Sequence, residues 1–171
     1  MISAVILARS DEDALSLTLS ALAPAAMDGL VREVIVIDDG SNERIAEVAD
    51  EAGARRVIAG AAADLAIATA SAKQPWLLIL TAGARPQVGW ESAARGHMSH
   101  FADRAGRFRL SLAAPGVMAR LKEARAELGA SWLGRLTPEQ GLLIAACRYT
   151  APPRRLRRLE ARVLFDRWGG A

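Results

Sequence analysis

The chain has one cysteine, Cys147, in 171 residues. An internal disulfide is therefore excluded, and so is a zinc site built on cysteine pairs. Cys147 follows Leu142-Leu143-Ile144-Ala145-Ala146, which reads as a buried and inert thiol. No run of 18 apolar residues is present, so no transmembrane helix is expected. The opening Met1-Ile2-Ser3-Ala4-Val5-Ile6-Leu7 has no basic segment before it, and Arg9 and Asp11 follow soon after. That reads as a first strand rather than a signal peptide, and cytoplasmic residence fits. Aromatic residues make up only 5% of the chain. A base-stacking platform is poorly supported, and no nucleic-acid partner is expected. No Gly-rich phosphate loop, zinc signature or Gly-x-Ser-x-Gly elbow appears, and no internal repeat or linker divides the chain.

Hydrophobic residues are 51% of the total and charged residues 24%, which suits one globular domain over 1–171. The net charge is +3, unevenly placed: Arg154, Arg155, Arg157, Arg158 and Arg162 crowd the C-terminal segment. Such a cluster suits phosphate or an anionic inner-membrane surface, and equally a solvated helix face.

The first half alternates two periodicities. Residues 2–8 form an apolar run that predicts a buried strand. Ser10 stands as a helix cap before Asp11, Glu12 and Asp13, while Leu15, Leu19 and Leu22 form a stripe that Pro24 ends. Val34–Ile37 is a second strand running into Asp38-Asp39-Gly40-Ser41, and a helix over about 43–52 closes at Gly53. A short strand at Val57-Ile58, a helix over about 62–72 and a strand at Trp76–Leu80 follow. This order predicts an α/β fold with a doubly wound, mostly parallel sheet. The second half (91–171, after a nucleotide-binding half at 1–90) is less regular. It reads as a helix at 89–103, a strand around Phe108–Leu112, a helix at 116–128, a strand at Leu142–Ala146 and a helical tail at 153–168. Only a small antiparallel addition is expected from it. Ligands of doubly wound sheets lie beyond the strands' carboxyl ends, here Ala8–Ser10, Asp38–Ser41 and Thr81–Arg85.

Two adjacent carboxylates after a buried strand repel each other unless the site uses them. Asp38 and Asp39 can accept hydrogen bonds from a base or a ribose, with Gly40 turning the chain. They equally suit a turn that merely caps the next helix, and spacing alone leaves both readings open.

The stretch Ser3–Glu12 followed by Glu33-Val34-Ile35-Val36-Ile37-Asp38-Asp39-Gly40-Ser41 resembles the opening of family 2 glycosyltransferases, which have the GT-A fold and transfer a sugar from a nucleoside diphosphate. The resemblance implies a nucleotide-sugar partner and nucleotide contacts from Ala8, Arg9, Asp11, Asp38 and Asp39. Within that family, Gly60–Trp90 is similar to the radical-SAM/selenodomain-associated transferases, with Arg85 and Gly89-Trp90 in matching places. Phe108-Arg109, Glu139-Gln140-Gly141-Leu142 and Leu159-Glu160 look like later motifs of that subfamily. By this resemblance Arg85 faces the diphosphate, Gln140 lies on the acceptor side and Glu160 is the candidate base.

The departures fall on polar site positions. The family expects Mn2+ or Mg2+ on an acid of an Asp-x-Asp-like motif, and that acid falls on Gly83 within Thr81-Ala82-Gly83-Ala84. A Gly-Arg turn has become Gly60-Ala61, an expected Asn is Ala66, and an expected Asp is Ala161. No metal ligand is therefore assigned, and no cofactor is certain. Two functions stand: sugar transfer without a conventional metal site, with Arg85 neutralising the diphosphate, or a non-catalytic binding or scaffold relative. His97 and His100 are expected on an exposed polar helix face, and Trp76, Trp90, Trp132 and Trp168 in the core or an interface.

Overall fold

A computed structural model describes residues 1–8, 11–38, 40, 42–58, 63–113, 117–132, 138–149 and 156–165. The apolar opening forms β1 (Ile2–Leu7), followed by α1 (Glu12–Met27), β2 (Val31–Asp38), α2 (Glu43–Glu51), β3 (Arg55–Ile58) and α3 (Ala63–Ala70). Then come β4 (Trp76–Thr81), β5 (Ala84–Pro86), α4 (Trp90–His100), β6 (Ala105–Leu112) and α5 (Val117–Trp132). The last strands are β7 (Leu142–Ala145) and β8 (Leu156–Phe165). No described helix is long and apolar enough to cross a membrane.

The eight strands among the described residues join one sheet in the order β3-β2-β1-β4-β7-β6-β8-β5. β1, β2, β3 and β4 run parallel, as the alternating pattern predicts. Beyond β4 the expectation of a mostly parallel, doubly wound sheet fails. β7 is antiparallel to both β4 and β6, and β5 is antiparallel to β8, while β6 and β8 are parallel. The sheet is therefore mixed throughout its second half, and it curls into a half-barrel. The curl is visible in a contact between its parts. The turn entering β5, the far edge strand, meets α1 on the parallel half, where Gly83 N–H donates to Ala14 O and Thr18 Oγ1, both at 2.9 Å.

Other expectations shift for local reasons. Asp11, not Ser10, caps α1, its Oδ1 accepting from Ala14 N–H at 2.9 Å. Pro24 lies inside α1 instead of ending it. Its ring and the carbonyl of Ser20 that it leaves unbonded are on the exposed side, where water can replace the missing donor. The helix stops instead at Gly29, φ +69°, with Leu30 N–H reaching back to Ala25 O at 2.9 Å. Gly53 closes α2 as expected, with φ +65° and the equivalent bond from Ala54 N–H to Ala49 O. The tail expected to be helical is β8, in which Leu159, Ala161 and Val163 are buried while Glu160 and Arg162 are exposed. Cys147 is exposed on a short 3-10 turn after β7 rather than buried.

One core joins α1, α2 and α4 to alternate residues of the strands, including Ile2, Ile6, Leu78, Leu80, Phe108 and Trp90. A second, around Val5, Ile35, Leu77 and Ile144, packs on the opposite face with Leu65 of α3. Trp90 is thus core, as expected, and Trp76 is half-buried against it. The side chains of Trp132 and Trp168 are outside the described residues.

Candidate functional site

The chain leaves β1 through α1 to β2 on one side, and later returns through α3 to β4 on the other. Neighbouring crossovers diverge there, at the carboxyl ends of β1 and β4, the place where sheets of this kind leave a crevice. The residues at this edge are small. Ala8 N–H donates to Ile37 O at 2.8 Å and Ala82 N–H to Leu7 O at 2.9 Å, and both alanine side chains are buried.

Asp38 ends β2 beside this crevice with 1% exposure. Its Oδ1 accepts from Gly40 N–H at 3.0 Å, fixing the turn that Gly40 makes at φ +77°. Its Oδ2 accepts from Arg56 Nε at 2.9 Å and Nη2 at 2.6 Å, on neighbouring β3. The carboxylate is thus a tie between β2, its turn and β3, whatever else it contacts. Arg9, Ser10, Asp39 and Ser41 lie outside the described residues. Nearby, Glu12 of α1 accepts from Asn42 Nδ2 at 2.8 Å and Arg44 Nη1 at 3.3 Å, joining the first turns of α1 and α2. Its own backbone N–H, then Asn42 and Arg44, hold its carboxyl below the ordinary range.

On the other flank, Gly83 is buried with φ +90°. Its N–H is shared between Ala14 O and Thr18 Oγ1, so this turn is pinned to α1 by its backbone. A divalent cation needs several oxygen ligands. Gly83 supplies no side chain, and no three His, Cys, Asp or Glu side chains among the described residues are grouped to hold a metal ion. The described residues do not fit an Asp-x-Asp-type metal site. Arg85 follows on β5, half-buried and in register with Leu164 of β8.

Gln140 and Glu160 stand elsewhere. Gln140 is fully buried at the end of a 3-10 turn, Pro138–Gln140. Gly141 follows at φ +70°, where an added Cβ would come within 2.9 Å of Leu80 Cδ2. Glu160 is exposed on β8, where two steps along β6 (Arg107 to Arg109) match four along β8 (Arg158 to Arg162). This irregular stretch borders a cleft of about 500 Å³ against α4, shared with Ser92, His97, His100, Arg157 and Arg158. At its end Arg157 lies over the Phe101 ring, 3.5 Å from the centroid. His97 corrects an expectation here. It is buried rather than exposed, edge-on to Trp76, and its Nε2 lies 2.9 Å from Arg104 O. A carbonyl accepts only from a protonated nitrogen, so Nε2 carries the proton. His100 is exposed as expected, with Nδ1 3.0 Å from Gly96 O.

Sequence reasoning brought Ala8, Asp38 and Gly83 to one edge. It missed Arg56, Asn42 and Thr18, which hold that edge. Arg56 is 18 residues from Asp38 in sequence, and only the β2–β3 register, with Asp38 opposite Ile58, brings the two together.

No protein-family model matches the chain, and no curated protein matches it in sequence. Solved structures do match. The chain shares its fold with glucosyl-3-phosphoglycerate synthase. Against that enzyme from Mycobacterium tuberculosis, in complex with Mn2+, UDP and glucosyl-3-phosphoglycerate, the TM-score is 0.67 at 19% identity. The match covers 97% of this chain and 70% of that one. With the same enzyme bound to Mg2+ and UDP the TM-score is 0.68 at 18% identity, covering 97% and 69%. Mannosyl-3-phosphoglycerate synthase from Rubrobacter xylanophilus matches at 0.59 and 16% identity, over 85% of this chain and 54% of that one. At such identities the likeness is one of fold, and none of these three is a radical-SAM/selenodomain-associated transferase.

Proposed function

We propose that the chain binds a nucleoside diphosphate sugar at the carboxyl edge of β1, β2 and β4, as a glycosyltransferase-like domain without a carboxylate-held divalent metal. The observation that carries this reading is the switch point in strand order where the β1 and β4 crossovers diverge, in a fold shared with an enzyme solved in complex with UDP. Asp38, wholly buried and accepting three hydrogen bonds within the protein, holds the turn on which the nucleoside end would be built. Asp39, Arg9 and Asp11 complete the nucleoside end, and Arg85, two residues after Gly83, supplies a cation for the diphosphate. An arginine fork suits phosphate oxygens without a metal.

The second reading adds sugar transfer, and Arg85 favours it. Charge on the departing diphosphate would rest on its guanidinium, while Glu160 takes the acceptor's proton and Gln140 supports the acceptor side. Glu160 lies four residues along β8 from Leu164, the register partner of Arg85, so about 13 Å away along the strand. A base must reach the proton it removes. Transfer therefore requires a substrate extended along β8.

Thermal-shift titration with UDP, GDP and UDP-sugars, each with and without Mn2+, tests both readings. At 100 times its dissociation constant a ligand stabilises by about 2.7 kcal/mol, which raises Tm by roughly 5–10 °C at this size. The expected shift needs no Mn2+, disappears in Asp39→Ala and shrinks in Arg85→Gln. A shift that appears only with Mn2+ would refute the metal-free site, and no shift with any nucleotide would refute binding. Transfer predicts UDP release from a UDP-sugar, lost in Glu160→Gln.

A further inference from the structure

Helix α5 is oriented against the usual rule. Its carboxylates face the protein: Glu123 accepts from Leu112 N–H at 2.6 Å, and Glu127 accepts from Arg107 Nη1 and Nη2 at 3.0 and 3.2 Å. Ala126, between them, is buried. Its large apolar side chains face solvent instead, with Met118, Leu121 and Leu128 exposed by 67%, 50% and 59%. Arg120, Lys122 and Arg125 are exposed with them. At about 100° per residue, Met118, Leu121 and Leu128 fall within a sector of roughly 80°, with Arg125 inside it and Lys122 about 40° beyond one edge, while Arg120 lies round toward Glu127. The outer face of α5 thus carries two cations, three large apolar groups and no carboxylate among its described residues.

The sheet beside it adds to the charge. Arg107 points to Glu127 of α5, and Arg109, two residues on, stands on the same face. Arg109 is exposed.

We infer that the outer face of α5, with Arg109 beside it, forms a docking face for an anionic lipid surface. Apolar tips set among cations are what an interfacial helix presents: the tips enter the acyl boundary while the cations meet headgroup phosphates. Charge complementarity selects this occupant. A second copy seated face to face would set Lys122 and Arg125 against their own equivalents, which opposes association. Single-stranded nucleic acid would want aromatic groups for stacking, and the exposed groups here are aliphatic.

The test uses the full chain and sedimentation with vesicles of phosphatidylcholine alone or with 30 mol% phosphatidylglycerol. Binding is expected on the anionic vesicles, weak on neutral ones, and reduced by 0.5 M NaCl. Lys122→Gln and Arg125→Gln should each weaken partitioning about fivefold, and the double change on the order of twenty-fivefold. Leu121→Ser with Leu128→Ser should leave only weak binding that salt removes entirely. These side chains are exposed, and an unchanged melting temperature shows that each variant folds. Equal binding to both vesicle types, no binding to either, or variants that bind like the parent would overturn the inference. So would a dimer seen by light scattering that Leu121→Ser dissociates while vesicles are ignored.

Discussion

Gly83 is the residue on which the metal question turns, and restoring an acid there gives a sharp test. Gly83→Asp places an L side chain at φ +90°, where non-glycine backbone strain is about 1–3 kcal/mol. The position is buried and its N–H is already committed to Ala14 O and Thr18 Oγ1, so the new carboxylate must lose its hydration without a cation to meet it. That adds at least about 2 kcal/mol even if the group stays protonated. The total, about 4 kcal/mol, lowers Tm by roughly 8–16 °C for a chain of this size. Gly83→Ala carries the strain alone and should lose only about 1–3 kcal/mol. Urea denaturation separates the two: the midpoint should fall in both variants with the slope unchanged. Neither variant should gain Mn2+-dependent nucleotide binding. If Gly83→Asp melts within about 2 °C of the parent and binds UDP better with Mn2+, the reasoning is wrong, because the turn would then accept a ligand-bearing residue.

Removing Arg56 should expose how much Asp38 depends on it. Asp38's side chain is wholly buried and Arg56 is 25% exposed, so Arg56→Met should lose about 3 kcal/mol in chemical denaturation, the low end for breaking a buried pair. Asp38→Asn combined with Arg56→Met should then be clearly less than additive, and strict additivity would mean that the two do not interact. His97 is held below its usual 6.5 by burial first, with Arg157 also lowering it and the Arg104 carbonyl and Asp103 working the other way. The unfolded chain therefore takes a proton that the folded one refuses, so stability falls as pH drops through 6.5 and is flat above about 7. Melting curves of His97→Gln should lack that slope between pH 7 and 5, and an unchanged slope would assign it to another group. Burial works against the Glu33 carboxylate, but Lys73 N–H, Ser3 Oγ and Arg55 outweigh it and lower its pKa from the usual 4.5. Its contribution is present above 4.5 and fades as pH falls through the lower folded value, so Glu33→Gln should flatten the acid limb of a stability profile. A profile that keeps its acid limb would contradict this.

The parallel half of the fold was legible because its signals are local. Buried strands such as Val34–Ile37 and Trp76–Leu80 are continuous apolar runs, and α2 between them is short and bounded by Asn42 and Gly53. The second half was not, and β8 shows why. Leu156, Leu159 and Val163 are spaced three and four apart, as on a helix, while Leu159, Ala161 and Val163 alternate, as on a strand. Both periods fit the same ten residues. The choice was made by partners far away in sequence, β6 on one edge and β5 on the other, and β5 is a three-residue strand that no window of periodicity detects. Once β8 is a strand that pairs back to β5, the sheet has an antiparallel far edge and curls toward α1.

The site was legible in the same partial way. Asp38 stood out because a carboxylate after a buried strand is costly, and it does lie at the crevice, yet the residue that stabilises it, Arg56, left no local signal. Gly83 stood out by what it lacks. A missing acid can be a simple loss, in which case the backbone would still accept its return, or the backbone can have become one that only glycine fits. The φ of +90° and the N–H shared between two α1 oxygens place Gly83 in the second class. That difference has a mechanistic consequence. The same turn that excludes a metal-binding side chain holds the far edge of the sheet against α1, so the closure of the half-barrel and a metal ligand at this position compete for one residue. A metal ligand at position 83 itself would require a different turn into β5, and with it a different approach of the sheet to α1.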